Sequence, residues 1–175
     1  MLSPSAQKML KEYFNLPFPG AQNIRCPYFN NSRLARRGQL RVLAGKGTPK
    51  EIVEEAKIIS LQYHAGLFDK TGQIATPDNP AKIKEFLVDH NLGIDCSGFV
   101  TQILQKHFAE TKGIDLKRKL FKNPKNIFRR LVNFVRPIEN IGVRTYFDDR
   151  NTEEIKKIAD SQAGDLIIMM ATGPN

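Results

Sequence analysis

Cys96 stands between Asp95 and Ser97, with Gly98 and a regular apolar pattern behind it, in the stretch "GIDCSGFV". A thiol attacks as its thiolate, and an unperturbed cysteine ionises at about 8.5. A helix N-terminus and a neighbouring histidinium are the two surroundings that commonly favour the anion. Asp95 is a good N-cap, which places Cys96 in a first helical turn whose N–H groups have no intrahelical partner. Their field favours a thiolate. The same groups, including the N–H of Cys96 itself, can hold the oxyanion of acyl transfer. Ser97 and Gly98 are small enough to let a substrate approach the backbone. Asp95 cuts both ways, because its charge opposes the thiolate. The plain alternative is a small buried cysteine that happens to start a helix, since cysteine is among the most often buried residue types.

A thiol nucleophile needs a base, and the chain has three histidines. His107 falls on the same helix as Cys96 but about 16 Å along its axis. A base must lie within about 3 Å of the proton it takes. His90 and His64 fall at the ends of the two preceding helices with nothing to orient them. Each of the three reads as a half-exposed structural histidine. The other cysteine, Cys26, forms no C-x-x-C pair, so a zinc site is not expected, and a single distant pair is poor evidence for a disulfide. No cofactor is implied.

These residues must be positioned by helices. Thr48, Pro49 and Glu51 make a T-x-x-E capping box, and Ile52, Ala56, Ile59 and Tyr63 follow on one face as far as Gly66. After the turn-rich "DKTGQIATPDNP", Asn79-Pro80 opens a helix with Ile83, Phe86 and Leu87 inward, stopping near Asn91-Leu92-Gly93. The helix behind Cys96 carries the stripe Phe99, Val100, Ile103, Leu104 and Phe108 and closes at Gly113. A further helix over 124–135 sets Ile127, Phe128, Leu131, Val132 and Val135 against Lys125, Arg129, Asn133 and Arg136. It reads as a basic surface helix packed on the domain, with a membrane-surface helix as the alternative. Residues 141–147 look extended, 151–160 look like a short helix capped by Asn151, and "AGDLIIMM" at 163–170 looks like a turn feeding a buried strand. A short helix near 4–14 precedes an irregular, basic stretch to residue 47. In it Tyr28 and Phe29 either pack on the domain or offer stacking faces to an anionic polymer.

The chain has 175 residues, 41% hydrophobic and 26% charged, which suits one globular domain. No apolar run approaches the ~18 residues that span a bilayer, and no signal peptide is recognisable; the compartment stays open. Net charge is +9. Seven Lys/Arg lie between Tyr13 and Lys50, and eight between Lys117 and Arg136, with no acid in either stretch. Such blocks fit a polyanion (nucleic acid, anionic lipid or an anionic wall polymer) or a merely solvated basic face.

"DCSGFV" at 95–100, opening an amphipathic helix, resembles the nucleophile motif of the NlpC-type cysteine peptidases of bacterial cell walls. "AGDLIIMM" at 163–170 is similar to that family's second signature. The resemblance covers roughly 48–111 and 151–171. It implies an α+β, papain-like fold, a helical lobe packed on an antiparallel sheet, with Cys96 as nucleophile and Asp95 and Ser97 lining the pocket for the substrate's N-terminal end. It implies hydrolysis of peptide or amide bonds of peptidoglycan peptides, over a domain 48–175 preceded by a basic arm 1–47. Two departures stand out. The gap between the motifs is long, which implies a basic insertion at about 114–147. The family's histidine follows the second signature, so it would lie beyond Asn175, and the chain as given would be an incomplete, inactive enzyme. The competing expectation is a non-catalytic module gripping an anionic polymer through 25–50 and 117–136.

Overall fold

Helix α1 (Pro4–Phe14) starts where Pro4 presets the first turn, and it buries Ala6, Met9 and Tyr13, spaced three and four apart on one face. In the computed structural model, which describes residues 1–28, 41–122, 127–162 and 164–169, this face packs on the helix that begins at Cys96, α4 (Cys96–Lys112). Between them in sequence come α2 (Pro49–Gln62) and α3 (Pro80–Asp89). After α4 follow α5 (Leu116–Lys119), α6 (Ile127–Val135) and α7 (Val143–Tyr146).

The three central helices begin where their caps predict. Thr48 Oγ1 accepts from Glu51 N–H at 3.3 Å while Glu51 Oε2 accepts from Thr48 N–H at 2.8 Å, the reciprocal capping box. Asn79 Oδ1 accepts from Lys82 N–H at 3.1 Å. Asp95 Oδ1 accepts from Gly98 N–H at 2.5 Å, and Gly113 ends α4 in the left-handed region at φ 63°. Ile52, Ala56, Ile59, Ile83, Phe86 and Leu87 are buried as expected. Tyr63 is not: it caps the end of α2 and is exposed.

Two apolar groups form, and α4 is the wall between them. The larger unites α1, α2 and α3 with Leu16, Phe18, Ile24, Val42, Leu67 and Ile103. The smaller joins Leu104 to Leu120, Ile141 and Tyr146, with Val100, Phe108, Leu116, Leu166 and Ile168 against it. The segment expected as an N-terminal arm therefore supplies much of the main core, although Tyr28 remains exposed; Phe29 lies outside the described residues.

The α+β papain-like architecture does not form. Among the described residues the protein is helical with no sheet, and its β-pairing consists of two isolated bridges, Tyr28 with Ile94 and Phe68 with Ile74. A strand exists only through a partner for its backbone N–H and C=O groups. The Gly164 turn forms, at φ 112°, but the residues after it are not a buried strand. Leu166 and Ile168 lean on the smaller group while Ile167 and Met169 are exposed; Ala163 and Met170 lie outside the described residues. The expected extended stretch 141–147 instead contains the short helix α7, with Ile141 just before it and Tyr146 within it buried. The expected helix over 151–160 reduces to one 3-10 turn, Ile158–Asp160. Asn151 does not cap it. Its carboxamide clamps Phe121, accepting from N–H at 2.6 Å and donating to C=O at 2.8 Å. Ile155 and Ile158 are exposed, so that segment has no apolar face to bury.

Burial also sets an alkaline limit. It pushes the half-buried Cys26 thiol up to about 12. Burial likewise raises Tyr146 to about 12, against a hydrogen bond with Thr101 that lowers it, and raises Tyr13, with the nearby Cys26 adding to the shift. The neutral forms are the ones folded in, so the unfolded chain loses these protons first as pH rises. Their stabilisation is complete below the unfolded values, about 8.5 for a thiol and 10 for a phenol, and is lost as pH climbs toward about 12. The urea midpoint should be level from neutrality to about pH 8.5 and fall above it, with Cys26→Ala delaying the onset to about pH 10. A midpoint level through the whole alkaline range, or an onset unmoved in Cys26→Ala, would contradict this.

Candidate functional site

Cys96 is the first residue of α4, and its side chain is exposed, not tucked into the core. The helix ladder starts behind it, with Phe99 N–H donating to Asp95 C=O at 2.9 Å. The N–H groups of Cys96 and Ser97 therefore lie ahead of the ladder, in the part of the turn where backbone donors face outward.

What holds this turn in place is a residue that the sequence alone did not single out. The Lys46 side chain is buried, and its Nζ donates to Asp95 Oδ1 at 2.8 Å and to Ser97 Oγ at 2.5 Å. Ser97 Oγ in turn donates to Asp95 Oδ1 at 3.0 Å. One carboxylate oxygen thus gathers an ammonium, a hydroxyl and the Gly98 N–H. The backbone around Lys46 is stitched to α4 as well. Asp95 N–H donates to Gly45 C=O at 2.9 Å, and Gln102 Nε2 donates to Lys46 C=O at 2.7 Å. Tyr13 reaches across from α1 to donate to Gly47 C=O at 2.8 Å, and its ring meets Phe99 edge-on at 5.2 Å. Gly45 takes φ 70°, a left-handed turn residue that lets the loop fold back. The only mark of this in the sequence is a lysine flanked by two glycines just before a strong helix cap.

Asp95 and Ser97, expected to receive the N-terminal end of a substrate, already hold an ammonium group of the chain itself. Behind them, Thr101 Oγ1 donates to Ser97 C=O at 2.5 Å and shares a 2.7 Å hydrogen bond with Tyr146 Oη. The polar interior of α4 therefore runs from the loop at Lys46 to α7.

None of the three histidines is gathered to Cys96. His107 is buried, and its Nδ1 accepts from Ser3 N–H at 3.1 Å, at the start of α1. Glu110, one turn further along α4, accepts from Ser5 N–H at 3.0 Å and from its hydroxyl. Those hydrogen bonds hold the Glu110 carboxyl below its ordinary range. The pair together satisfies donors at the start of α1, which explains a buried histidine without invoking catalysis. His90 stacks on Phe86 at 4.2 Å, with Nδ1 3.0 Å from the Phe86 carbonyl. His64 is exposed at the end of α2, with φ 51°. Both cysteines are free, and among the described residues no cluster of three or more His, Cys, Asp or Glu is placed to hold a metal ion. Among the described residues no helix is long and apolar enough to cross a membrane. No protein-family model, no curated protein and no solved structure matches the chain.

Proposed function

We propose that this protein is a thiol hydrolase of peptide or amide bonds, with Cys96 as the nucleophile and peptides of the bacterial cell wall as the substrate class that its "DCSGFV" motif suggests. The observation that carries the reading is the exposed thiol at the first turn of α4, on a turn pinned by the buried Lys46–Asp95–Ser97 cluster. A solvent-facing cysteine has no packing reason to sit there, and a rigid first turn aims fixed N–H donors at whatever binds beside the sulfur.

In the proposed reaction the Cys96 thiolate attacks the carbonyl carbon, forming the C–S bond while the carbonyl oxygen becomes an oxyanion facing the Cys96 N–H. Collapse breaks the C–N bond, and the amine leaves with a proton taken from solvent, to which the Cys96 thiol has already lost its own. Water then hydrolyses the thioester and restores the thiol. Asp95 and Ser97 serve here by holding the turn through Lys46. Since His90 and His107 are engaged elsewhere and His64 is exposed at the end of α2, the property to measure in this chain is nucleophilicity and not turnover.

The test is alkylation by iodoacetamide at neutral pH, read by mass spectrometry at each cysteine. Cys96 should react faster than the same thiol in the urea-unfolded chain, while Cys26, held protonated by burial, should react far more slowly than either. A Cys96 rate equal to or below its unfolded rate would remove the nucleophile assignment.

A further inference from the structure

Helix α6 turns its described apolar side chains outward, while Leu120, Ile138 and Ile141 on its flanks point into the protein. On α6, Ile127, Phe128, Leu131, Phe134 and Val135 are each between 62% and 77% exposed. Sequence periodicity alone favoured packing of this helix on the domain, and the structure corrects that for Ile127, Phe128, Leu131 and Val135. Lys125 and the side chains of Arg129 and Val132 lie outside the described residues. Phe134, absent from the expected stripe, extends the exposed face. At 100° per residue these five side chains share one side of the helix, with Arg130 at its edge and Asn133 beyond it. A contiguous exposed apolar face rimmed by polar residues marks a contact surface, in contrast to singly scattered apolar residues, which need no explanation.

We infer that α6 docks on the surface of an anionic lipid bilayer, lying in the headgroup region with its apolar face down. Three observations select this occupant. The first is charge: residues 117–136 hold eight Lys/Arg and no Asp or Glu within a chain of net charge +9. Two copies of such a helix would repel each other, whereas anionic headgroups attract it. The second is length. Nine residues make a helix of about 14 Å, too short to cross a bilayer and ample to lie along one. The third is attachment. Leu120 before the helix and Ile138 and Ile141 after it are buried in the body of the protein, so the helix is tethered at both flanks. Arg136 is turned to Glu139 at 3.4 Å, and among the described residues Arg130 on the helix and Arg118 and Lys119 of α5 are exposed cations in this stretch. A nucleic acid would use the same charge but has no use for five exposed apolar side chains with two phenylalanines on one helix face.

The chain contains no tryptophan, so Phe128→Trp supplies a single fluorescent reporter on the face itself. With vesicles of phosphatidylglycerol and phosphatidylcholine its emission should shift to the blue and the full chain should co-sediment. With pure phosphatidylcholine both effects should be largely absent, and added salt should weaken both. Leu131→Ser with Phe134→Ser should reduce vesicle binding by about tenfold or more. Both residues are exposed, so circular dichroism and thermal unfolding should not change. Cys96→Ser should bind vesicles like the parent, because docking is independent of the thiol. The inference is overturned by the absence of any shift with either vesicle. Equal binding to neutral vesicles also overturns it, as does a blue-shifted emission that grows with protein concentration before lipid is added. DNA binding that survives the Leu131→Ser, Phe134→Ser pair, in a chain that ignores vesicles, would assign the basic stretch to nucleic acid instead.

Discussion

Lys46→Met should lower the unfolding free energy by about 3 kcal/mol, the lower end of what losing one partner of a buried ion pair costs. The methionine fills nearly the same volume, so the effect is electrostatic. Asp95 would keep its charge in a setting where its side chain is only 13% exposed, with the Lys46 ammonium gone. Gly98 N–H and Ser97 Oγ would remain as donors to Asp95, which is why the expected loss is at the lower end. Asp95→Asn in the same chain removes the stranded charge and should restore most of the difference. The reactive centre should respond too: a loosened first turn brings the Cys96 alkylation rate in Lys46→Met toward that of the unfolded chain. Urea midpoints of the two single variants and the double variant measure the coupling. A Lys46→Met loss under about 1 kcal/mol would mean that the pair is solvated and does not hold the turn.

Gly98→Ala should cost about 3 kcal/mol through a different cause, overpacking against backbone. A Cβ built on Gly98 would overlap the Gly45 carbonyl oxygen and would come within 3.1 Å of Asp95 Oδ1. The carbonyl cannot swing aside freely, because it accepts the Asp95 N–H at 2.9 Å and the next carbonyl accepts from Gln102. Helix propensity alone makes the opposite prediction, since alanine is favoured over glycine inside a helix by about 1 kcal/mol. The sign of the measured change is therefore decisive. A stabilised Gly98→Ala would show that the loop 45–47 is not pressed against the start of α4.

The legible parts of this protein were the ones governed by neighbours in sequence. The start of α2 depends on Thr48 and Glu51, that of α3 on Asn79 and that of α4 on Asp95, each within one turn, and all three form where their side chains predict. The same locality placed Cys96 in a first turn. The failures share an opposite character. "LIIMM" has strand composition, but a strand requires a partner, and the described part of that run only leans Leu166 and Ile168 on α4's smaller apolar group. Asn151 has cap chemistry, yet its carboxamide is better used bridging Phe121 and Thr145. The apolar stripe of α6 is real, but the pattern does not say whether protein or something else covers it.

The amino-acid sequence by itself determined the helix boundaries around Cys96, the cationic excess over 117–136, and a cysteine at a capped N-terminus, because each rests on residue type and short spacing. Only the tertiary structure decided that Lys46 reaches Asp95 and Ser97, that His107 serves the start of α1, and that no sheet is built from the described residues. Those outcomes depend on segments far apart in the chain meeting in space, where burial converts an ordinary lysine and an ordinary histidine into fixed partners of particular atoms.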